Sequence, residues 1–419
     1  MNLRSPRITL RTPMHTLAIA ASAFLASTAL AGELTLIPAN QGFMTGVSAD
    51  GRVVSGYGAQ YFYWTKETGT IFIGGIAPGI QGAGGSSQMA NDGNRLCGNV
   101  LNPQGKVEAA IYDIAAGEWQ LLGNLGGSCD INASTAWGIS DDGSTVVGGA
   151  YPGACSHRAM RWSQSTSMGT LFSWFGWTTR ANATNADGSV VVGWQDIDTG
   201  FRQGAIWANG VQTRLASPTG VRMGEAQCCT ADGSTVFGFG NFNDGEGQVA
   251  YRWTAGTKAV SLGPKPDPAS GYATDCSADG SVIACFFRWG PPAISGEGYA
   301  WIAGRGFVAL EVLAEENGAF VPSDVRLSLP LAVSADGKTI VGAGRSDVGQ
   351  VIFVLDMHPE PGACPGDLNL DSVVNGLDLG ILLGSWDQRG VADINQDGVV
   401  NGLDLGILLG NWGTGPGAP

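Results

Sequence analysis

One motif recurs seven times along the chain, and the recurrence limits the fold more than any bulk property does. VSADGRVVSG (47–56), MANDGNRLCG (89–98), ISDDGSTVVG (139–148), TNADGSVVVG (184–193), CTADGSTVFG (229–238), CSADGSVIAC (276–285) and VSADGKTIVG (333–342) align on an Asp-Gly pair. Between them runs an apolar-aromatic group: YFYW (61–64), AAIYD (109–113), AMRW (159–162), GAIW (204–207), AYRW (250–253), YAWI (299–302) and VIFV (351–354). From Asp50 to Asp336 the mean interval is about 48 residues, the period of propeller blades rather than of helical solenoids. Each unit resolves into four short strands; in the fourth these are AMRW, MGTLF (168–172), RANATN (180–185) and SVVVG (189–193). Asp187-Gly188 falls between the last two, where a tight hairpin demands positive φ, so the recurrent Asp-Gly reads as a turn device before it reads as a ring of ligands.

The ends of the array indicate closure. ELTLI (33–37) matches the second strand of a unit and precedes the first Asp-Gly, whereas the matching first strand, VIFV, follows the last. Pairing the two completes a mixed blade and leaves no open edge, which predicts a mainly β fold: a seven-bladed β-propeller of four-stranded blades over 32–357. Gly at 66 of 419 residues without a collagen period fits many tight turns, and 44% hydrophobic residues suffice for a core.

The units resemble the HAF repeats of bacterial extracellular proteins, through A-x-x-W, then G-x-x-x-L-G, then A-x-x-I-S-x-D-G-x-x-V-V-G, although most copies here carry AMRW, GAIW or AYRW instead of His-Ala-Phe. That resemblance, over about residues 33–357, implies an extracellular repeat protein and no particular reaction.

Residues 1–31 read as a signal peptide: Arg4, Arg7 and Arg11 lead into LAIAASAFLASTALA, which ends in a small-x-small cleavage site, Ala29-Leu30-Ala31. The expectation is a secreted bacterial protein, extracellular or at the cell surface, with no transmembrane segment after cleavage; the alternative is an uncleaved anchor. Removing three Arg and no acid from 22 basic and 36 acidic residues leaves 19 against 36, a formal charge of about −17, which argues against nucleic acid as a partner. The eight Cys suit an oxidising compartment. Cys276 with Cys285, and Cys129 with Cys155, each flank a predicted hairpin and suggest two local bridges, with buried free thiols the alternative.

Catalytic signatures are sparse. Cys155 and His157 could form a dyad or half a metal site, but no nucleophile elbow accompanies them. Glu225, Glu297, Glu311, Glu315 and Glu316 show no paired-carboxylate pattern, so a glycoside hydrolase is the second choice. Binding is favoured by LFSWFGWTTR (171–180) and CFFRWGPP (285–292), which place Trp174, Phe175, Trp177, Phe287 and Trp289 near strand connections, where rings can stack on a polysaccharide; the competing role is packing between blades.

After a Pro/Gly-rich linker (358–366), VVNGLDLGILLG occurs twice, at 373–384 and 399–410. With the preceding residues the copies read DLNLDSVVNGLD (367–378) and DINQDGVVNGLD (393–404). Oxygen-bearing side chains fall at loop positions 1, 3, 5, 9 and 12: Asp367, Asn369, Asp371, Asn375 and Asp378, then Asp393, Asn395, Asp397, Asn401 and Asp404. Position 7 adds the carbonyls of Val373 and Val399. A twelve-residue loop of hard oxygens in this spacing is an EF-hand-type calcium loop, so two calcium ions are expected. Position 12 is expected to open the following helix, with Leu377, Ile381 and Trp386, and Leu403, Ile407 and Trp412, as the stripes by which two short helices pack.

Asp at position 12 and a duplicated loop-helix without an entering helix resemble a dockerin over 367–413, leaving a tail at 414–419. That resemblance implies calcium at each position above and a cohesin-like protein or cell-surface component as partner, although Gly376-Leu377 and Gly402-Leu403 replace the Ser/Thr-type residues often found there. The chain thus reads as a non-catalytic binding or display ring anchored by its calcium-binding tail. A carbohydrate-active enzyme and a purely structural surface repeat protein are the alternatives.

Overall fold

The computed structural model describes residues 32–38, 42–243, 245, 247–266, 269–358, 366–369, 373–388, 392–395 and 399–413. Seven four-stranded antiparallel sheets stand around one axis. Their innermost strands, in chain order, are Phe43–Val47, Gln88–Met89, Ser134–Ile139, Thr179–Thr184, Ala226–Cys229, Ser270–Cys276 and Arg326–Val333, taken below as blades 1 to 7. Blade 7 draws its outer strand, Glu33–Pro38, from the other end of the chain; it pairs with Gly349–Asp356 from Glu33↔Asp356 to Pro38↔Val351. The closure expected from the offset ends is therefore present. Among the described residues only three short α-helices occur, Leu310–Glu316, Gly376–Gly384 and Gly402–Gly410, and no helix is long and apolar enough to cross a membrane.

The sequence unit is out of phase with the blade. AMRW and MGTLF are the outer half of blade 3, and RANATN and SVVVG the inner half of blade 4. Periodicity fixes the length of a repeat, while its phase depends on which strands share hydrogen bonds. The Asp-Gly hairpin joins the two strands nearest the axis.

At all seven turns the Asp carboxylate accepts the backbone N–H two residues on, at 2.8–3.1 Å. In five of them a Ser or Thr two residues earlier donates to the same oxygen and accepts a backbone N–H from across the hairpin, as Ser140 does between Asp142 and Thr145. Successive turns are also stitched together around the axis. Backbone bonds of 2.8–3.1 Å run from Ala49 to Asn91, Asn91 to Asp141, Asp141 to Ala186, Ala186 to Ala231, Ala231 to Ala278 and Ala278 to Ala335. The Gly serves a second purpose here: Gly188, at φ 72°, lies where a Cβ would come within 2.5 Å of Thr145 in the neighbouring blade. The motif is a hairpin turn and an inter-blade joint in one.

Trp162, Trp207 and Trp253 are buried between blades as their spacing suggests. Trp207 and Trp301 also donate their indole N–H groups to Phe172 and Leu262 carbonyls of the preceding blade, at 2.7 and 2.8 Å.

Of the two expected bridges, Cys129–Cys155 is formed. Cys276 and Cys285 are free thiols: the register pairs Cys276 with Ile283 and Cys285 with Ala273, so the two sulfurs are not opposed.

Candidate functional site: the axial cavity, its rim and the tail loops

A cavity of about 230 Å³ follows the axis and is lined by the innermost strands. Its lining comes from a backbone irregularity that period-two reasoning overlooks. Six of the seven inner strands carry a β-bulge, and the residue skipped by the pairing is Thr45, Trp137, Asn182, Gln227, Thr274 or Leu331. All six line the cavity. An extra residue opposite one partner turns the local backbone and re-aims its side chain, here towards the axis. The legible signal was the break in alternation five residues before each turn Asp.

Two carboxylates, Asp141 of blade 3 and Asp275 of blade 6, face this cavity. Asp275 is pushed up to about 7 by burial, despite backbone N–H groups from Val333 (2.9 Å) and Cys276, with the charge of Asp141 adding to the rise. Burial also raises Asp141, against a hydrogen bond from Asn91. Cys228, Cys229 and Cys276 also line the cavity.

One face of the ring carries the Asp-Gly turns; the connections between blades open on the other. On that face, at the strand ends of blades 4 and 5, Arg180 and Arg202 share Glu225. Arg180 donates to Glu225 Oε2 at 3.2 Å and to Asn182 Oδ1 at 2.8 Å, and Arg202 donates to Glu225 Oε1. Each guanidinium also stacks on indole: Arg180 lies 3.7 Å from the Trp137 centroid and Arg202 4.1 Å from that of Trp194. Burial pulls Arg180 down to about 10 against the support of Glu225, so it keeps its charge at neutral pH. Two cations over one carboxylate, set on aromatic planes, suit a ligand with a carboxylate of its own. Glu225 shows no pairing along the chain because its partners are arginines 23 and 45 residues away.

Glu225→Ala is expected to cost about 3–5 kcal/mol, because it strands the buried Arg180 charge. Arg202→Ala, on a half-exposed side chain, should cost no more than about 1 kcal/mol. Denaturant unfolding of the two variants checks the ranking, and equal losses would contradict it.

His157 does not pair with Cys155, which is held in the disulfide. Its Nδ1 lies 2.8 Å from the Thr179 carbonyl, which can only accept, so Nδ1 carries the proton. Burial, followed by repulsion from Arg180, Arg158 and Arg202, pushes the ring to about 4 despite that bond, and it is neutral at pH 7.

The expected aromatics separate into two groups. Trp174, Phe175 and Trp177 stand together on the connection entering blade 4, with successive ring centroids 6.2 and 4.9 Å apart. Trp174 is 43% and Phe175 76% exposed, and Phe175 sits at φ 56°, a strained position for a bulky residue that turns its ring outward. Trp289, 50% exposed, lies on a connection of blade 6 that opens on the same face. Phe287 is a correction: at 1% exposure it packs against Tyr299 and Phe307 in the core, because it falls on the inward side of Val282–Arg288.

The tail forms two copies of one loop-helix unit. Asn375 and Asn401 cap the helices through Oδ1, accepting from Leu377 and Leu403 N–H at 2.8 Å, and Asp378 and Asp404 complete capping boxes. The helices thus begin at Gly376 and Gly402, two residues before position 12. This turns the helix: Val374, Leu382, Val400 and Leu408 form the shared core, while Leu377, Leu403, Trp386 and Trp412, expected to pack there, are exposed. A pseudo-twofold clasp joins the copies, with Asp387 N–H on the Val400 carbonyl (2.9 Å) and Gly413 N–H on that of Val374 (2.8 Å).

Asp378 and Asp404 are fully buried and face back into their loops. Asp378 accepts N–H groups of Leu368 (2.7 Å), Asn369 (3.1 Å) and Asn375 (2.8 Å); Asp404 accepts those of Asn395 (3.0 Å) and Asn401 (2.8 Å). Loop positions 2, 3, 9 and 12 therefore converge in the first copy and positions 3, 9 and 12 in the second, and Asp367 at position 1 of the first is buried. Asn375 and Asn401 also donate to the position-7 carbonyls of Val373 and Val399 at 3.0 Å, so their oxygens are committed to the caps. Asp371 and Asp397 lie outside the described residues, as do residues 1–31, where a signal peptide is expected, most of the linker and the tail 414–419.

No protein-family model matches the chain, and no curated protein matches it. Among solved structures it is similar to an oligogalacturonate lyase from Vibrio parahaemolyticus, at 12% identity over 78% of this chain and 97% of that one, with a TM-score of 0.50. It is also similar to the β-propeller domain of the trilobed protease from Pyrococcus furiosus, at 9% identity over 78% and 95%, TM-score 0.49. A third is TolB from Acinetobacter baumannii, at 11% identity and TM-score 0.39, covering 76% of this chain but 65% of that one. The propeller fold is common to neighbours of diverse function, and at these identities it is the fold alone that the likeness shows.

Proposed function

We propose that this is a secreted, non-catalytic binding and display protein: a ring that takes a saccharide on its aromatic face, and a dockerin-like tail that binds two calcium ions and anchors the chain to a cohesin-like partner or the cell surface. The observation that carries the reading is the duplicated tail geometry. Each copy draws its position-12 carboxylate into the loop, out of contact with solvent, and each leaves two apolar side chains exposed, Leu377 and Trp386 in the first and Leu403 and Trp412 in the second. A buried carboxylate suits a cation held in the loop, and exposed apolar side chains suit a docking partner. The residues that would hold each ion are those at positions 1, 3, 5, 7, 9 and 12, with position 9 reaching it through water while its oxygen caps the helix. Capture of a cell-surface protein by the full chain, reversed by chelator and lost in a Leu377→Asp/Leu403→Asp variant, tests the anchoring role; capture indifferent to both removes it.

For the ring, the cluster of Trp174, Phe175 and Trp177 supports stacking on sugar. A Trp174→Ala/Trp177→Ala variant is expected to lose glycan-array binding by roughly 10-fold or more, at about 1 kcal/mol for each ring. Silence of the unmodified protein across the array would favour a purely structural ring. A carbohydrate-active enzyme is the second reading, favoured by Asp141 and Asp275 in one cavity. Glycan turnover that disappears in Asp141→Asn while binding persists would put that reading first.

A further inference from the structure

We infer that the wall of the axial cavity between blades 5 and 6 is a binding site for one soft divalent cation of the zinc class, held by Cys228, Cys276 and Asp275. The two Sγ atoms and a carboxylate oxygen lie within 4.8 Å of one another. Tetrahedral zinc, at ~2.3 Å from sulfur and ~2.0 Å from oxygen, needs ligand separations of ~3.5–3.8 Å, so side-chain adjustments of about 1 Å suffice.

The backbone explains how these groups meet. Each β-bulge advances the chain by one residue, and the residue just after it is Gly46, Gly138, Ala183 or Ala332 in blades 1, 3, 4 and 7. There is little room at that position: a Cβ on Gly46 would come within 2.6 Å of the Met89 backbone. Blades 5 and 6 alone among the bulged strands place larger, coordinating side chains there, Cys228 and Asp275. Cys276 follows Asp275 directly. Cys228 thus faces blade 6, where Cys276 meets it, and Asp275, which occupies the equivalent post-bulge position of blade 6 and bonds Val333 of blade 7, brings a carboxylate oxygen within 4.8 Å of both sulfurs.

The donor set selects the metal class. Two sulfurs and one carboxylate form a mixed soft and hard set that favours zinc or its thiophilic relatives over calcium or magnesium. Asp275 is oriented by the Val333 N–H at 2.9 Å, the kind of outer support found around ligating carboxylates. All three residues border the cavity, so the fourth position opens onto it; three protein ligands and one open position differ from the closed four-ligand pattern of structural zinc sites. The site is separate from the calcium loops, which offer oxygen alone.

Cobalt or cadmium added to the full chain, purified without reductant, tests the site, because thiolate-to-metal charge-transfer absorption cannot come from the tail's oxygens. One equivalent per chain should develop the band. It should vanish in Cys276→Ala, and Asp275→Asn should weaken affinity by at least the roughly 10-fold that losing even an outer partner costs. On the unmodified protein, equimolar zinc should protect Cys228 and Cys276 from a small alkylating reagent, a readout that does not depend on a variant folding. A band that survives in Cys276→Ala, failure of zinc to protect, or an intact mass showing a Cys228–Cys276 disulfide would each overturn the assignment.

Discussion

In excess EDTA the full chain is expected to lose the helical signal of residues 376–384 and 402–410 while the β signal of the ring is unchanged. Nine-residue helices are too short to persist alone, and the sequence of each loop carries acids at positions 1, 5 and 12, like charges that a cation would offset. Calorimetric titration with calcium should restore the signal with two ions per chain. Asp378→Ala removes the carboxylate that closes the first loop; leaving a buried ion without its partner costs about 3–5 kcal/mol, a loss of roughly 100-fold or more at that site. The second site should weaken too, because Val374 and Leu382 share one core with Val400 and Leu408. Full helicity in EDTA, or two-site binding unchanged by Asp378→Ala and Asp404→Ala together, contradicts the calcium assignment.

Ring closure supplies the second large effect. Phe353 is fully buried on the central strand of blade 7, opposite Gly342 on one side and Leu36 on the other. Its core cluster spans blades 6 and 7 and takes in Leu34 and Leu36 from the N-terminal strand. Phe353→Ala should cost about 3–5 kcal/mol through lost burial and a residual cavity. Melting should fall by on the order of 10 °C. Hydrogen exchange should speed first along residues 33–38, the strand held from the opposite end of the chain, and deleting that strand should expose a long unpaired edge and cause aggregation. A Phe353→Ala protein that melts with the unmodified one would mean that the seam between the chain ends is not where the ring is held.

Much of the architecture could be read directly. Seven Asp-Gly turns at one period gave the blade count, and the offset of ELTLI from VIFV gave the closure, because hairpin chemistry is local and strand number is a count. The doubled VVNGLDLGILLG located the tail for the same reason. The phase of the blades, the free Cys276 and Cys285, and the burial of Phe287 were not legible. Each depends on which residue faces which across a sheet. A one-residue bulge reverses that relation and leaves little trace in composition.

The chain's own order of residues determined the repeat, its turns, the way its ends meet and the spacing of oxygens in the two loops. All of these are set by neighbours a few positions apart or by simple periodicity. Only the tertiary structure brought Arg180, Arg202 and Glu225 onto two indoles, Asp141 and Asp275 into one cavity, and Cys228 beside Cys276. It also decided which helix face of the tail is buried. Those meetings join residues from different strands and blades, and the angle at which bulged strands surround an axis is a property of the closed ring that no local stretch contains.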